Sequence, residues 1–172
     1  MHRVKMFAAV GVAVALLAAA CSDDNNPTQP PPRQQEVFKT ALSGQNERPA
    51  VTTTATGNAQ VTLDTTATTL TYTVTFSGLA DSAIAAHIHG PYDPANPPTS
   101  GTAPVVLGFT SVPRDKSGTI TGTAAKSTAT LGNNVSWDSL VVLLRTGHAY
   151  VNVHSKTYPG GEIRGQLDEH NH

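Results

Sequence analysis

The sequence lacks several features that would narrow its function at once. Cys21 is the only cysteine in 172 residues, so the chain cannot form an internal disulfide, and its fold must be held by a core or a metal. Lys and Arg number 11 against 12 Asp and Glu, so no excess of positive charge attracts nucleic acid. We also find no G-x-S-x-G nucleophile elbow and no phosphate-binding glycine loop, which excludes the enzyme classes built on them.

Residues 1–20 have the pattern of a secretory signal peptide. Arg3 and Lys5 precede an apolar run that ends in small residues, and this run is short for a permanent membrane span. We therefore expect the segment to be removed and to take no part in the fold. The mature chain would then carry nine Lys and Arg against twelve Asp and Glu, a formal charge of −3.

The segment "LLAAAC", which ends at Cys21, resembles the bacterial lipobox, in which the cysteine receives a diacylglycerol before cleavage. Acyl chains on Cys21 would hold the protein on a membrane, because each buried methylene contributes about 0.8 kcal/mol. Ser22 follows instead of Asp, and the resemblance then implies the outer membrane of a bacterium with two membranes. The alternative is ordinary secretory cleavage that leaves a free thiol.

The composition changes after this cysteine. Residues 22–35 contain four prolines and no aliphatic or aromatic side chain, so they cannot bury enough apolar surface to offset the entropy of ordering. We predict a disordered tether over residues 21–35, one domain over residues 36–168 and a flexible tail over residues 169–172.

Within the domain, apolar residues alternate with polar ones over short runs. In "LTYTVTF", Leu70, Tyr72, Val74 and Phe76 share one face of a half-buried strand. We predict about eight such strands in an all-β fold, an antiparallel β-sandwich or flattened barrel. Only "SWDSLVVLLRTG" has helical spacing, and it predicts one short helix, with a strand as the alternative.

In three predicted strands, polar side chains occupy every second position, and we expect these side chains to share one face of the sheet. Side chains two residues apart on a strand point to the same side, roughly 6.6 Å apart. The candidate site residues are His87, His89, Tyr150, Asn152, His154, Glu162, Arg164 and Gln166. The proline-rich loop 90–104 begins directly after the first pair, so we expect it to form the wall or lid of any site there.

Three motifs, "ALSGQNERPAV", "AHIHGP" and "YVNVHSKTYPGGEIRGQL", resemble those of the CHRD domain, named after chordin and common in bacterial secreted proteins. The resemblance runs from Val37 to Leu167. It implies an all-β extracellular domain of poorly defined activity, and it carries over no catalytic residues. The family's His-x-His and its final histidine fall on His87, His89 and His154, and its Gly-Glu-Ile-Arg-Gly-Gln falls on residues 161–166.

The histidines allow two interpretations of the site. Zinc and copper bind neutral imidazole, and His87, His89 and His154 could supply three ligands to either metal and leave one position open. His-x-His on a strand is also similar to the copper-binding element of copper-zinc superoxide dismutases, although the zinc-binding loop of those enzymes has no match in this sequence. The other interpretation is a structural network, in which Glu162 and Arg164 pair and the imidazoles bond to Asn152, Gln166 and backbone carbonyls.

These observations predict a lipid-anchored, extracytoplasmic CHRD-type binding or structural module, with a copper or zinc site as the candidate chemistry. The sequence identifies no partner other than the membrane, which Cys21 would reach. Two alternatives stay open: a redox or hydrolytic enzyme that uses the same metal, and an adhesion domain that acts through its Thr-rich strand faces. Enzymatic chemistry is not our first expectation, because no catalytic motif accompanies the histidines.

Overall fold

The computed structural model describes residues 34–95 and 101–169, which form nine strands, one α-helix and one turn of 3-10 helix (Gly44–Asn46). The strands are β1 (Gln35–Ser43), β2 (Thr56–Asp64), β3 (Thr69–Ser77), β4 (Ala83–His89), β5 (Val105–Gly108), β6 (Gly118–Ala125), β7 (Tyr150–Ser155), β8 (Ile163–Gln166) and β9 (Asp168–Glu169), and the helix is α1 (Trp137–Arg145). The predicted signal peptide, Cys21 and most of the predicted tether lie outside the described residues, as do residues 170–172.

The strands form one antiparallel sheet that curls into a half-barrel. Its order is β5-β4-β7-β8-β1-β2-β3-β6, and the two-residue strand β9 pairs with β1. The prediction of an all-β antiparallel fold with one short helix is therefore confirmed. Gln35 and Glu169, placed by sequence in the tether and the tail, are the outermost residues of β1 and β9, a difference of one residue at each end.

Alternation along the strands produces the core. Leu70, Tyr72, Val74 and Phe76 of β3 are buried, while the threonines between them are exposed. The same pattern on neighbouring strands lines the inside of the curl with aliphatic side chains, because successive strand residues point to opposite faces. The outer face is therefore free to carry polar groups.

The short helix α1 forms where helical spacing predicted it, so the strand alternative is wrong. Ser136 is its N-cap, and the Ser136 hydroxyl accepts a hydrogen bond from the backbone N–H of Ser139 at 3.0 Å. Leu140 and Leu144 are fully buried against the core. Gly147 follows the helix with φ +67°, a left-handed conformation that favours glycine after a helix. In the described part of the chain, no helix is long and apolar enough to cross a membrane.

Strand β7 lies near the middle of one half of the sheet, and all six of its residues are buried. Its inner face, with Val151 and Val153, belongs to the core. Its outer face carries polar side chains that would be solvent-exposed on a bare sheet. They are buried because the segment after β1 and the loop after β4 fold over this side, as contacts at Glu47 and Ala103 show.

Candidate metal centre

The three predicted histidines meet on the outer face of two paired strands. His87 and His89 belong to β4 and His154 to β7, and the antiparallel register places Ala85 opposite His154 and His87 opposite Asn152. Each ring offers a nitrogen atom, and these three nitrogens lie within 4.8 Å of one another. Two distant parts of the sequence therefore form one cluster through strand pairing.

Backbone carbonyls orient two of the three rings. The Nδ1 of His89 lies 2.8 Å from the carbonyl oxygen of Ala103, and the Nδ1 of His154 lies 3.0 Å from that of Pro159. A carbonyl oxygen only accepts hydrogen bonds, so in both rings Nδ1 carries the hydrogen and a neutral ring keeps its lone pair on Nε2. The Nε2 of His154 accepts from the Nδ1 of His87 at 3.1 Å.

Burial keeps these imidazoles neutral. Desolvation lowers the pKa of His87 and of His89 to about 4, and it also lowers the pKa of His154. The positive charge that each ring would give to its neighbours adds to the effect on the first two. At neutral pH all three histidines therefore hold the uncharged form, which is the form that binds a metal ion.

The cluster fits the donor set of a transition metal. The Nε2 of His89 is buried and has no hydrogen-bond partner in the described structure, although a neutral polar atom in such a place normally has one. Nitrogen ligands of a tetrahedral ion at about 2.0–2.1 Å lie about 3.3–3.4 Å apart, and the three nitrogens offered here lie within 4.8 Å of one another, so the rings need only small movements to reach that spacing. The carbonyls on Nδ1 of His89 and His154 match the outer bonds that fix metal-binding histidines.

Tyr150 extends the cluster towards β8. Its ring stacks on His89 with centroids 4.9 Å apart and planes 4° apart, and its hydroxyl accepts the backbone N–H of Ala103 at 3.0 Å. The guanidinium carbon of Arg164 lies 3.4 Å from the centre of the same ring and 4.0 Å from that of Tyr92. A cation–π stack therefore joins the histidines to a buried arginine.

Two residues of the predicted network lie elsewhere. Glu162 precedes β8, and its carboxylate accepts hydrogen bonds from Thr53, Ser155 and the backbone N–H of Ala80, so it forms neither the predicted pair with Arg164 nor a bond to an imidazole. Gln166 donates to the carbonyls of residues 147 and 149. The imidazoles thus bond to backbone carbonyls and to one another, not to Asn152 or Gln166.

Glu47 belongs to this buried layer, and our sequence analysis did not single it out. It lies in the segment after β1, is 3% exposed, and accepts a hydrogen bond from the Asn152 amide at 3.4 Å. Desolvation raises the pKa of Glu47 to about 7, although Arg164 and Arg48 act in the opposite direction. The Oε1 of Glu47 and the Oδ1 of Asn152 have no partner among the described residues. Its place in "SGQNERPAV" was the only available signal.

The loop after β4 covers the site, as its position in the sequence predicted. Of its described residues, Ala103 contacts His89 and Tyr150, Tyr92 packs on Tyr150, and Gly101 accepts a hydrogen bond from Arg164 at 2.8 Å. These contacts explain why polar groups on the outside of the sheet are shielded from water. His87 alone among the three histidines stays half-buried, so the cluster is most accessible on its side.

The fold and the site therefore define a class of protein, an all-β domain with three clustered histidines beneath a covering loop. They do not by themselves define an activity. The family model of the CHRD domain matches residues 38–167, and the chain belongs to that family. No curated protein and no solved structure gives a significant match to the chain.

Proposed function

We propose that this CHRD domain is a binding module that holds one copper or zinc ion through His87, His89 and His154. The observation that supports the proposal most strongly is the buried Nε2 of His89, which has no partner in a ring that belongs to a cluster of three histidines with ligand nitrogens within 4.8 Å of one another. A structural network of the same rings would be expected to satisfy that atom, since an unpaired buried polar group is costly.

The chemistry of the ligands selects among metals. Three neutral imidazoles and no thiolate suit copper or zinc, whereas calcium and magnesium require oxygen ligands. Three protein ligands would also leave a coordination position open to another ligand. The open position supports an enzymatic use as the second candidate, in which the bound ion would act as a Lewis acid or redox centre.

Metal content tests the proposal directly. The full chain, purified without affinity histidines, is loaded with zinc or copper, dialysed against a weak chelator and analysed for metal. We expect about one ion per chain, and we expect His154→Ala to lose it, because the remaining pair cannot supply three ligands. His148→Ala is the matched control, since His148 bonds to Thr146 and lies outside the cluster.

Two results would reject the metal site: a folded wild-type protein that takes up neither metal, or equal loss of metal in the His154 and His148 variants. Full occupancy with four protein ligands would reject the enzymatic use but not the metal site.

We further propose that the domain is displayed at the cell envelope on a lipid anchor. The proposal is supported by the segment that ends at Cys21 and by the composition of residues 22–35, which suits a tether between a membrane and a folded domain. Because Ser22 follows the cysteine, we favour the outer membrane of a bacterium with two membranes.

Acylation of Cys21 can be measured in cells grown with a labelled fatty acid. We expect wild-type protein to carry the label and to fractionate with membranes, and Cys21→Ser to do neither. Ser22→Ala is the control that leaves the acceptor thiol in place. An unlabelled wild-type protein recovered in the soluble fraction would contradict the anchor.

A further inference from the structure

A polar cavity lies next to the histidine cluster, on the β8 side of Tyr150. Its volume is about 250 Å³. Strand β8 forms its floor and the two covering segments form its walls. The lining residues that bear on a ligand are Asn46, Arg48, Tyr92, Arg164, Gln166 and Asp168.

The cavity contains positive charge that no ion pair neutralises. Arg164 is 2% exposed, and its guanidinium donates to a backbone carbonyl and lies against two tyrosine rings. In the described part of the chain, neither Arg164 nor Arg48 forms a salt bridge with a carboxylate. Glu47 interacts electrostatically with both arginines, but its pKa of about 7 leaves it in good part uncharged at neutral pH. Burying a cation without a counter-ion is costly.

Hydrogen-bond acceptors stand beside these cations. The Asn46 amide donates its N–H to the carbonyl of Arg164 at 2.9 Å, and the Gln166 amide donates to two other carbonyls. The side-chain oxygens of both amides accept no hydrogen bond from a described residue. Together with Asp168, these two amides line the same cavity as Arg48 and Arg164, so acceptors and cations share one cavity wall.

We infer that this cavity binds an acidic sugar, with Arg48 and Arg164 on the carboxylate and the neighbouring acceptors on the hydroxyl groups. Guanidinium pairs recognise carboxylates through short charge-assisted hydrogen bonds. A neutral sugar would leave the buried cation without a counter-ion, and a simple inorganic anion would leave the acceptors unused and face Asp168. The cavity volume suits one monosaccharide unit. The inference does not depend on a metal at the histidines.

Titration followed by two-dimensional ¹H–¹⁵N NMR tests the site on the full chain in detergent, with a chelator present. The probes are sodium glucuronate, glucose and sodium acetate. We expect saturable chemical-shift changes at Asn46, Tyr92 and Gln166 with glucuronate. Glucose lacks the carboxylate and acetate lacks the hydroxyl groups, so each should bind about tenfold more weakly or worse.

Variants identify the groups responsible without removing the buried arginine, whose loss could unfold the domain. Arg48→Gln should weaken glucuronate binding by about tenfold or more, because one charge-assisted contact is lost. Arg114→Gln is the matched control, since this exposed arginine bonds to the carbonyl of Ile84, outside the cavity. Asp168→Asn removes a negative charge from the cavity, so it should strengthen acetate binding and reduce the ratio of glucuronate affinity to acetate affinity.

Three results would overturn the inference. They are the absence of saturation by glucuronate, equal affinity for acetate and glucuronate, which would indicate an adventitious anion only, and unchanged glucuronate binding by Arg48→Gln.

Discussion

Replacing Glu162 with alanine should destabilise the domain by about 3 kcal/mol or more, because three hydrogen-bond donors lose an acceptor that is itself buried. Glu162 is fully buried, and its two oxygens accept from the Thr53 and Ser155 hydroxyls and from the backbone N–H of Ala80. Alanine would leave the buried Ser155 hydroxyl without its acceptor, at a cost of about 1–3 kcal/mol, and would remove one hydrogen bond each from Thr53 and Ala80. Urea unfolding of the metal-free protein measures the loss.

Glu162→Gln is the informative companion to this substitution. It keeps one oxygen for Thr53 and Ala80 but presents an N–H₂ group to the Ser155 hydroxyl, so the loss should be clearly smaller than with alanine. Because Glu162 contacts none of the three histidines, the folded glutamine variant should bind as much metal as the wild type. A glutamine variant that is stable but metal-free would show that Glu162 supports the imidazoles after all.

The regular parts of the fold were predictable because each rests on a local pattern. The alternation of Leu70, Tyr72, Val74 and Phe76 specifies which side of β3 is buried, and the spacing of Leu140 and Leu144 after Ser136 specifies α1. Each pattern depends only on the element itself, because any strand or helix that buries one face must place its apolar residues at that element's own spacing. Periodicity alone therefore identified β3 and α1, although it missed the two-residue strand β9 and gave no order of strands in the sheet.

The site was only partly predictable because it depends on strand neighbours and on covering segments. His-x-His fixes two rings on one face of β4, but the approach of His154 requires β4 and β7 to pair in one register. Glu47 comes from an aperiodic segment, so no spacing argument could place it under the loop. Glu162 was misplaced because β8 begins only at Ile163, after Gly161 at φ +129°, so alternation does not extend back to it.

The covering segments explain the electrostatics of the outer face. On a bare sheet, the three histidines would be hydrated and would titrate near their ordinary values, and so would Glu47 if its covering segment were detached. In the covered layer, desolvation is the largest cause of the shift in each of these four groups, downward for the imidazoles and upward for the carboxyl. Both kinds of shift favour the neutral form of the side chain. The buried layer therefore contains mostly uncharged groups, packed around one cation, Arg164.

Glu47→Gln should therefore stabilise the metal-free domain at pH 8, by about 3 kcal/mol, and leave it nearly unchanged at pH 4. The pKa of Glu47 is about 7 in the folded state against an ordinary 4.5, so the folded state binds its proton more tightly than the unfolded state does. Stability from this group is then greatest below pH 4.5, falls as the pH rises to about 7, and is constant above that. Glutamine resembles the protonated acid and can donate to the orphaned Oδ1 of Asn152.

The measurement is the difference in unfolding free energy between Glu47→Gln and wild type from pH 4 to pH 8, in chelator. The difference is needed because the histidines act with the opposite sign: their lowered pKa values make stability rise between about pH 4 and 6.5 in both proteins. Arg48 and Arg164 also interact electrostatically with Glu47. So does Tyr150, whose pKa burial raises further above this window. A difference that stays constant with pH would mean that Glu47 is ionised in the folded protein, and its carboxylate would then be the counter-ion of Arg164.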